Sequence, residues 1–234
     1  MLTIKKILHS TALAAAISLA AASALPAAAA VTVGNNDSGN CYPFSCFPSD
    51  NGTTYQQIYS ATAFSGITSF NQISFFGHSE YLGLPMDTAS YRITFSTSSK
   101  AVNGLSGVGS ENVGADSQLF SIVNVSGNMP SVLSFTGATF TYDPSLGNLL
   151  MQVDVLTPLP LGQYQSFFQA DYTGTDTQRY YAYNGSPEGT VGNGALRTEF
   201  SNVSAVPEPE TYAMMIAGLA LLGFAARRRK QKTA

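Results

Sequence analysis

Ser131-Val132-Leu133-Ser134-Phe135-Thr136-Gly137-Ala138-Thr139-Phe140-Thr141-Tyr142 is followed by the linker Asp143-Pro144-Ser145-Leu146-Gly147-Asn148. Then comes Leu149-Leu150-Met151-Gln152-Val153-Asp154-Val155, and these three pieces decide how the fold is read. Apolar and hydroxyl side chains alternate through the first run, the period-two pattern of a strand with one buried face. Gly137 interrupts it between Leu133-Ser134-Phe135 and Phe140-Thr141-Tyr142, which marks a bulge or bend. The last run sets Leu149, Met151, Val153 and Val155 on one side, with Gln152 and Asp154 on the other. Pro144 and Gly147 supply turn geometry, so Tyr142–Asn148 reads as a hairpin connection between the two runs.

The same pattern extends outward. Tyr91-Arg92-Ile93-Thr94-Phe95-Ser96 places Tyr91, Ile93 and Phe95 on one face. Further strands are expected near Tyr55–Phe64, Thr68–Phe76, Ser117–Val125, Tyr164–Tyr172, Arg179–Asn184 and Leu196–Val203, separated by Gly, Asn, Asp and Pro. No helical periodicity of useful length and no internal repeat occurs between residues 31 and 205. Eight or more short strands at this spacing predict an all-β domain, a two-sheet β-sandwich of jelly-roll type. Val102–Gly114, rich in Gly, Ser, Asn and Val, reads as a long loop. Its glycines fit no phosphate-binding pattern, because no strand-to-helix unit and no Gly-Lys-Ser/Thr follows.

Both ends of the 234-residue chain carry other signals. Lys5 and Lys6 precede an apolar run from Ile7 to Leu25, then Pro26 and four alanines, the layout of a secretory signal peptide over residues 1–30. Small side chains at Ala28 and Ala30 suit a signal peptidase, which makes Val31 the first mature residue; cleavage after Ala28 is the alternative. At the other end Val206-Pro207-Glu208-Pro209 leads to an apolar stretch, 212–226, and then Arg227, Arg228, Arg229 and Lys230. As a helix those fifteen residues reach only about 22 Å, against a hydrocarbon core of about 30 Å. The stretch therefore reads as a short single transmembrane helix that holds the chain temporarily. Arg227 to Lys230 resist translocation and stay cytoplasmic, on the side of Lys5 and Lys6, so everything between the apolar segments lies outside.

Val206-Pro207-Glu208-Pro209, the spacer, the apolar segment with Gly218-Leu219 and Leu221-Leu222-Gly223, and Arg227-Arg228-Arg229 resemble, over residues 206–230, the PEP-CTERM sorting signal. That tail is also called the ice-binding protein C-terminal domain. The resemblance implies an exosortase, a membrane-embedded cysteine protease, as the processing enzyme. Pro207, Glu208 and Pro209 would be its recognition element and Arg227 to Arg229 the stop. Two prolines restrict their own and neighbouring backbone, which keeps the segment extended and open to a protease. Ice binding itself would want a flat, regular array of threonines, and the sequence shows none.

Charge narrows the partners. Residues 31–206 hold four cations, Arg92, Lys100, Arg179 and Arg197, against twelve acids, a balance near −8. Such a surface repels phosphate backbones and anionic headgroups, which excludes nucleic acid as a partner.

No residue set in the middle of the chain makes a catalytic constellation. Cys41 and Cys46 follow the export signal, and an oxidising compartment lets them close a small loop. A zinc site would need two further ligands, and His78 is the only histidine after the signal. A Ser-His-acid triad through His78, beside Glu80, lacks a Gly-x-Ser-x-Gly elbow. Asn35–Asn40 and Asp171–Asp176 are oxygen-rich and suit either calcium or solvated turns. Tyr172, Tyr180, Tyr181 and Tyr183 are either exposed rings that stack on sugars or the alternating core of a sandwich.

These readings predict an exported surface or extracellular-matrix protein with no catalytic site and no cofactor, associating with exopolysaccharide. The competing reading is a secreted polysaccharide- or ester-hydrolysing enzyme, which would need two close carboxylates in a cleft or a serine against His78. Mass spectrometry of the protein from its native host is expected to give a species starting at Val31 and ending near Pro207. An intact tail through Ala234 contradicts the sorting expectation.

Overall fold

A computed structural model describes residues 30–46, 53–65, 68–156 and 166–202. All of them fall in the first of the chain's two compact units, Met1–Asn202; the second is Val203–Ala234. The expected signal helix over residues 1–30, except Ala30, and the transmembrane helix over 212–226 lie outside the described residues. Among those described, no helix is long and apolar enough to cross a membrane.

The chain runs through β1 (Val31–Val33), β2 (Ser38–Asn40), β3 (Thr54–Tyr59), β4 (Thr68–Phe76), β5 (Ala89–Ser98), β6 (Gln118–Val125) and β7 (Val132–Tyr142). It continues through β8 (Asn148–Val155), β9 (Phe168–Asp171), β10 (Thr177–Ala182), β11 (Thr190–Gly192), β12 (Ala195–Leu196) and β13 (Thr198–Ser201). A four-stranded sheet has the order β1-β13-β4-β7, and a six-stranded sheet the order β11-β10-β3-β8-β5-β6. All named pairings are antiparallel. Phe70, Ile73, Phe75, Phe135, Phe140 and Phe200 of the first sheet share one core with Tyr55, Tyr59, Tyr91, Ile93, Phe95, Met151 and Val153 of the second. This is the face-to-face packing of a β-sandwich.

Two expectations are corrected. The sandwich has a third sheet, of order β12-β9-β2, so the eight strands of a two-sheet jelly roll are not the arrangement found. Its strand β9 falls within the one expected near Tyr164–Tyr172, but β2 and β12 are three and two residues long, too short to carry a readable alternation. The turn after Tyr142 is not a hairpin either, because β7 belongs to the four-stranded sheet and β8 to the six-stranded one. Leu150 shows the reason: it points away from the main core into a second buried cluster, so β8 is covered on both faces and takes a central place between β3 and β5. Tyr142 fixes the crossing by donating its hydroxyl to the Gly147 carbonyl at 2.6 Å.

The bulge at Gly137 is present. Phe70 lies opposite Phe140 and Gln72 opposite Thr136, so Gly137, Ala138 and Thr139 stand against Asn71 alone. A Cβ at Gly137 would collide with the Phe120 carbonyl oxygen, which is how closely the β7 edge of one sheet approaches the β6 edge of the other.

Phe44 is fully buried where the three sheets meet. Its ring lies 5.1 Å from Phe75 and 5.3 Å from Phe135 of the four-stranded sheet, 5.1 Å from Tyr91 of the six-stranded sheet and 5.8 Å from Phe168 of the third. Gln57 makes a second tie. Its buried side-chain amide donates to the Leu196 carbonyl and accepts from the Leu196 amide, both at 2.7 Å, so a side chain does for β12 what a neighbouring strand would do.

Phe44→Ala is expected to lower stability by about 3–5 kcal/mol, measured by urea unfolding. Alkali should act through the buried tyrosines. Burial raises the hydroxyls of Tyr55, Tyr59, Tyr91 and Tyr142 above the ordinary 10.0, Tyr142 to about 12. A folded-state value above the unfolded one means the contribution is complete below pH 10.0 and is lost as pH rises through the raised values. The urea midpoint is therefore expected to show no tyrosine-linked change below about pH 10 and to fall steadily above it.

Candidate functional site

The outer face of the six-stranded sheet is the most developed polar surface. Strand alternation sends Thr54 and Gln56 of β3, Gln152 and Asp154 of β8 and Arg92 of β5 to this side, and register sets Thr54, Asp154 and Arg92 in one row. Asp154 accepts from Thr54 Oγ1 at 2.9 Å, from Gln152 Nε2 at 3.0 Å, and from Arg92 Nε and Nη2 at 3.1 and 3.0 Å. The Arg92 side chain is 49% exposed and that of Asp154 11%, so the pair sits at a boundary with solvent. Gln152 Oε1 accepts from Gln56 Nε2 at 2.8 Å, and Gln56 Oε1 accepts from Asn112 Nδ2 at 2.9 Å. One hydrogen-bonded chain of side groups thus runs across three strands into the loop after β5.

That loop, Val102–Gly114, shields the rest of the face. Leu105 joins Ile58, Leu150, Tyr180 and Ala182 in the second buried cluster, and its amide donates to Gln178 Oε1 at 3.2 Å. The loop is stitched to the β10–β11 connection by Gly109 N to Pro187 O at 3.2 Å and Gly189 N to Gly107 O at 2.9 Å. Close approach explains one glycine in each of these two segments. A Cβ at Gly109 would stand 3.0 Å from the Tyr180 ring, and one at Gly189 only 2.7 Å from it. Between these walls lies a depression of about 410 Å³, lined among others by Thr54, Gln56, Ser110, Gln152, Tyr180 and Pro187.

The residues singled out from sequence are dispersed. Pro207, Glu208, Pro209, Arg227 to Lys230 and Ala28 lie outside the described residues. Ala30 is exposed and stands immediately before β1. Cys41 and Cys46 are joined in a disulfide with Cα atoms 5.1 Å apart, and the loop they close carries Phe44. His78 Nδ1 is buried with no hydrogen-bond partner, and its ring lies 5.8 Å from Tyr81.

The two oxygen-rich segments meet, since β2 pairs with β9 and Asp37 Oδ2 accepts from the Tyr172 amide at 2.9 Å. Asp171 is buried and accepts from Thr173 N, Thr173 Oγ1 and Thr177 Oγ1 at 2.9, 2.6 and 3.0 Å. These bonds make Asp171 and Asp37 turn-building carboxylates in this structure. Among the described residues no group of three or more His, Cys, Asp or Glu is placed to hold a metal.

The tyrosines divide between both readings. Tyr180 is buried under the loop, and Tyr181 is partly buried against the main core. Tyr42 of the disulfide loop stacks on Tyr181 at 5.1 Å and its hydroxyl bonds that of Tyr183, with the Arg179 guanidinium 5.3 Å from the Tyr181 ring. Tyr172 is 42% exposed. Burial raises the Tyr183 hydroxyl well above its ordinary value.

Sequence reasoning missed Gln56, Gln152, Arg92 and Asn112 as a group. Only the polar positions Gln152 and Asp154 inside an apolar strand hinted at them.

Residues 205–230 match the PEP-CTERM protein-sorting motif. The motif covers the carboxy-terminal tail and implies an exported chain targeted by an exosortase, with envelope or surface association. No curated protein matches the chain. The β domain must therefore be read from its own geometry.

Gly189→Ala is expected to destabilise the domain by about 1–3 kcal/mol, because the new methyl meets both the Tyr180 ring and the Tyr181 carbonyl oxygen. Gly192→Ala, with nothing within 4 Å of its Cβ position, should change the same urea midpoint by less than about 0.5 kcal/mol.

Proposed function

We propose that this protein is a non-catalytic component of the bacterial cell surface or extracellular matrix, exported, processed by an exosortase, and associated through its β domain with exopolysaccharide. The observation that carries the reading is the sorting motif at residues 205–230, since it assigns a destination outside the cytoplasm. In this reading signal peptidase cuts after Ala30. The membrane holds the chain through 212–226 until the exosortase acts near Pro207-Glu208-Pro209, and Arg227 to Lys230 stay on the cytoplasmic side.

Two features support a binding role over a hydrolytic one. The side chains on the outer face of the six-stranded sheet are locked in mutual hydrogen bonds, which suits recognition by preformed groups. Asp154, the carboxylate of that row, has both oxygens taken by Arg92, Thr54 and Gln152, and among the described residues that line the depression none is a carboxylate that could pair with it for hydrolysis.

In host cells lacking the exosortase, the chain is expected to remain in the membrane fraction with its tail intact through Ala234. In the parent strain it should be recovered without the tail, cosedimenting with the host's exopolysaccharide. Recovery of a trimmed, exported chain in the mutant refutes the sorting part. Recovery of the trimmed chain wholly free of polymer in the parent refutes the polysaccharide part.

A further inference from the structure

We infer that the depression beside Gln56 and Gln152, with the row that continues through Asp154 to Arg92, is a binding furrow for a neutral, hydroxyl-rich glycan segment. The inference rests on the proposed polysaccharide association and assigns it a place and a ligand chemistry.

Four observations carry it. The first is shape. A depression of about 410 Å³ lies within the range of about 300–1,000 Å³ common to small-ligand sites. Its walls, the loop around Ser110 and the connection around Pro187, are tied to each other through backbone hydrogen bonds.

The second is preorganisation. Gln56 and Asn112 are buried and hydrogen-bonded to each other, Gln56 also donates to the Gly109 carbonyl at 2.9 Å, and Gln152 is pinned between Gln56 and Asp154. A ligand that meets these groups orders few rotors on binding, which removes one of the main costs of association.

Charge is the third. Arg92 and Asp154 neutralise one another, and the remaining polar groups named on the floor are amides and hydroxyls. No uncompensated cation is available on this floor for a phosphate or a uronate, and a domain carrying four cations against twelve acids repels polyanions. The amide oxygens of Gln56 and Gln152 each accept one bond and keep a second lone pair, and Arg92 keeps N–H groups beyond the two used on Asp154. Sugar hydroxyls donate and accept at once, so they satisfy both kinds of group.

The fourth is the apolar side. Val113 and Pro187 line the same depression over the buried Tyr180 ring and offer a surface to the C–H face of a sugar ring. Beyond Arg92 the face continues to Ile122, which register places opposite Arg92 and which is 60% exposed. From β3 to β6 the row crosses three strand spacings, about 14 Å, a length suited to a chain segment more than to a single sugar.

The test uses the full-length protein and four immobilised neutral hexaoses, cello-, laminari-, malto- and xylo-, with alginate as the polyanion arm. Retention on at least one neutral hexaose, competed by the same sugar free in solution, and none on alginate is the expected result. Ser110→Phe fills the depression from the exposed end of one wall, and Arg92→Ala removes the far end of the row. Each should weaken binding at least about tenfold with the thermal midpoint kept within a few degrees. Thr136→Phe, on the outer face of the four-stranded sheet, should bind as the parent does. Undiminished binding in both furrow variants, with loss at Thr136→Phe or after Tyr172→Ala, overturns the furrow and leaves the polysaccharide association standing. Retention on alginate alone overturns the neutral ligand chemistry, and no retention on any arm overturns the furrow while cosedimentation with the host polymer still decides the association.

Discussion

The ring of Phe44 is the contact on which the three sheets depend. It touches Phe75 and Phe135 on one side, Tyr91 on another and Phe168 on the third, so removing it opens a void that no single sheet can close by itself. The disulfide between Cys41 and Cys46 is best understood through it. Closing so small a loop limits the unfolded chain by less than the roughly 3 kcal/mol expected for fifteen residues, whereas a buried Phe is worth about 3–5 kcal/mol against Ala. The bridge matters chiefly as a mount for that ring. The same loop sends Tyr42 outward to Tyr181 and accepts the Ser166 amide on Ser45 Oγ at 3.0 Å, so one hexapeptide secures three directions of the fold.

With the interior fixed by aromatic packing, the outer face of the six-stranded sheet is divided by one loop. Half of it would expose Ile58 and Leu150, and Leu105 covers them; on the other half Thr54, Gln152 and Arg92 reach solvent over the buried Gln56 and Asp154. A polar face this ordered, on a domain whose core needs none of it, has been kept for recognition in the reading proposed above. The buried polar groups elsewhere serve architecture: Gln57 pairs with β12 as a strand would, and Asp171 shapes the turn after β9.

Alternation made the long strands legible. Thr68–Phe76 was read to its final bounds, Tyr91, Ile93 and Phe95 are buried together, and the bulge sits at Gly137, because each lies where one face is apolar and the other is not. Short strands escaped for the converse reason. Ser38–Asn40 reads as a turn, and Ala195–Leu196 holds too few residues to show any period. The connection after Tyr142 misled because turn residues announce a reversal of the chain without saying which sheet receives the next strand.

By itself the sequence determined the all-β character of the domain, the acidic balance of its surface and the sorting tail. Each of these is a property of composition or of local order, read within a few residues. Tertiary structure alone decided that β7 and β8 part company into different sheets, that Phe44 joins all three, and that Gln56, Asn112, Gln152, Asp154 and Arg92 form one chain of hydrogen bonds. Those residues lie up to 98 positions apart, from Gln56 to Asp154, and strand register is what brings them together. Register is set by the packing of the whole core, so no local pattern could have announced the site.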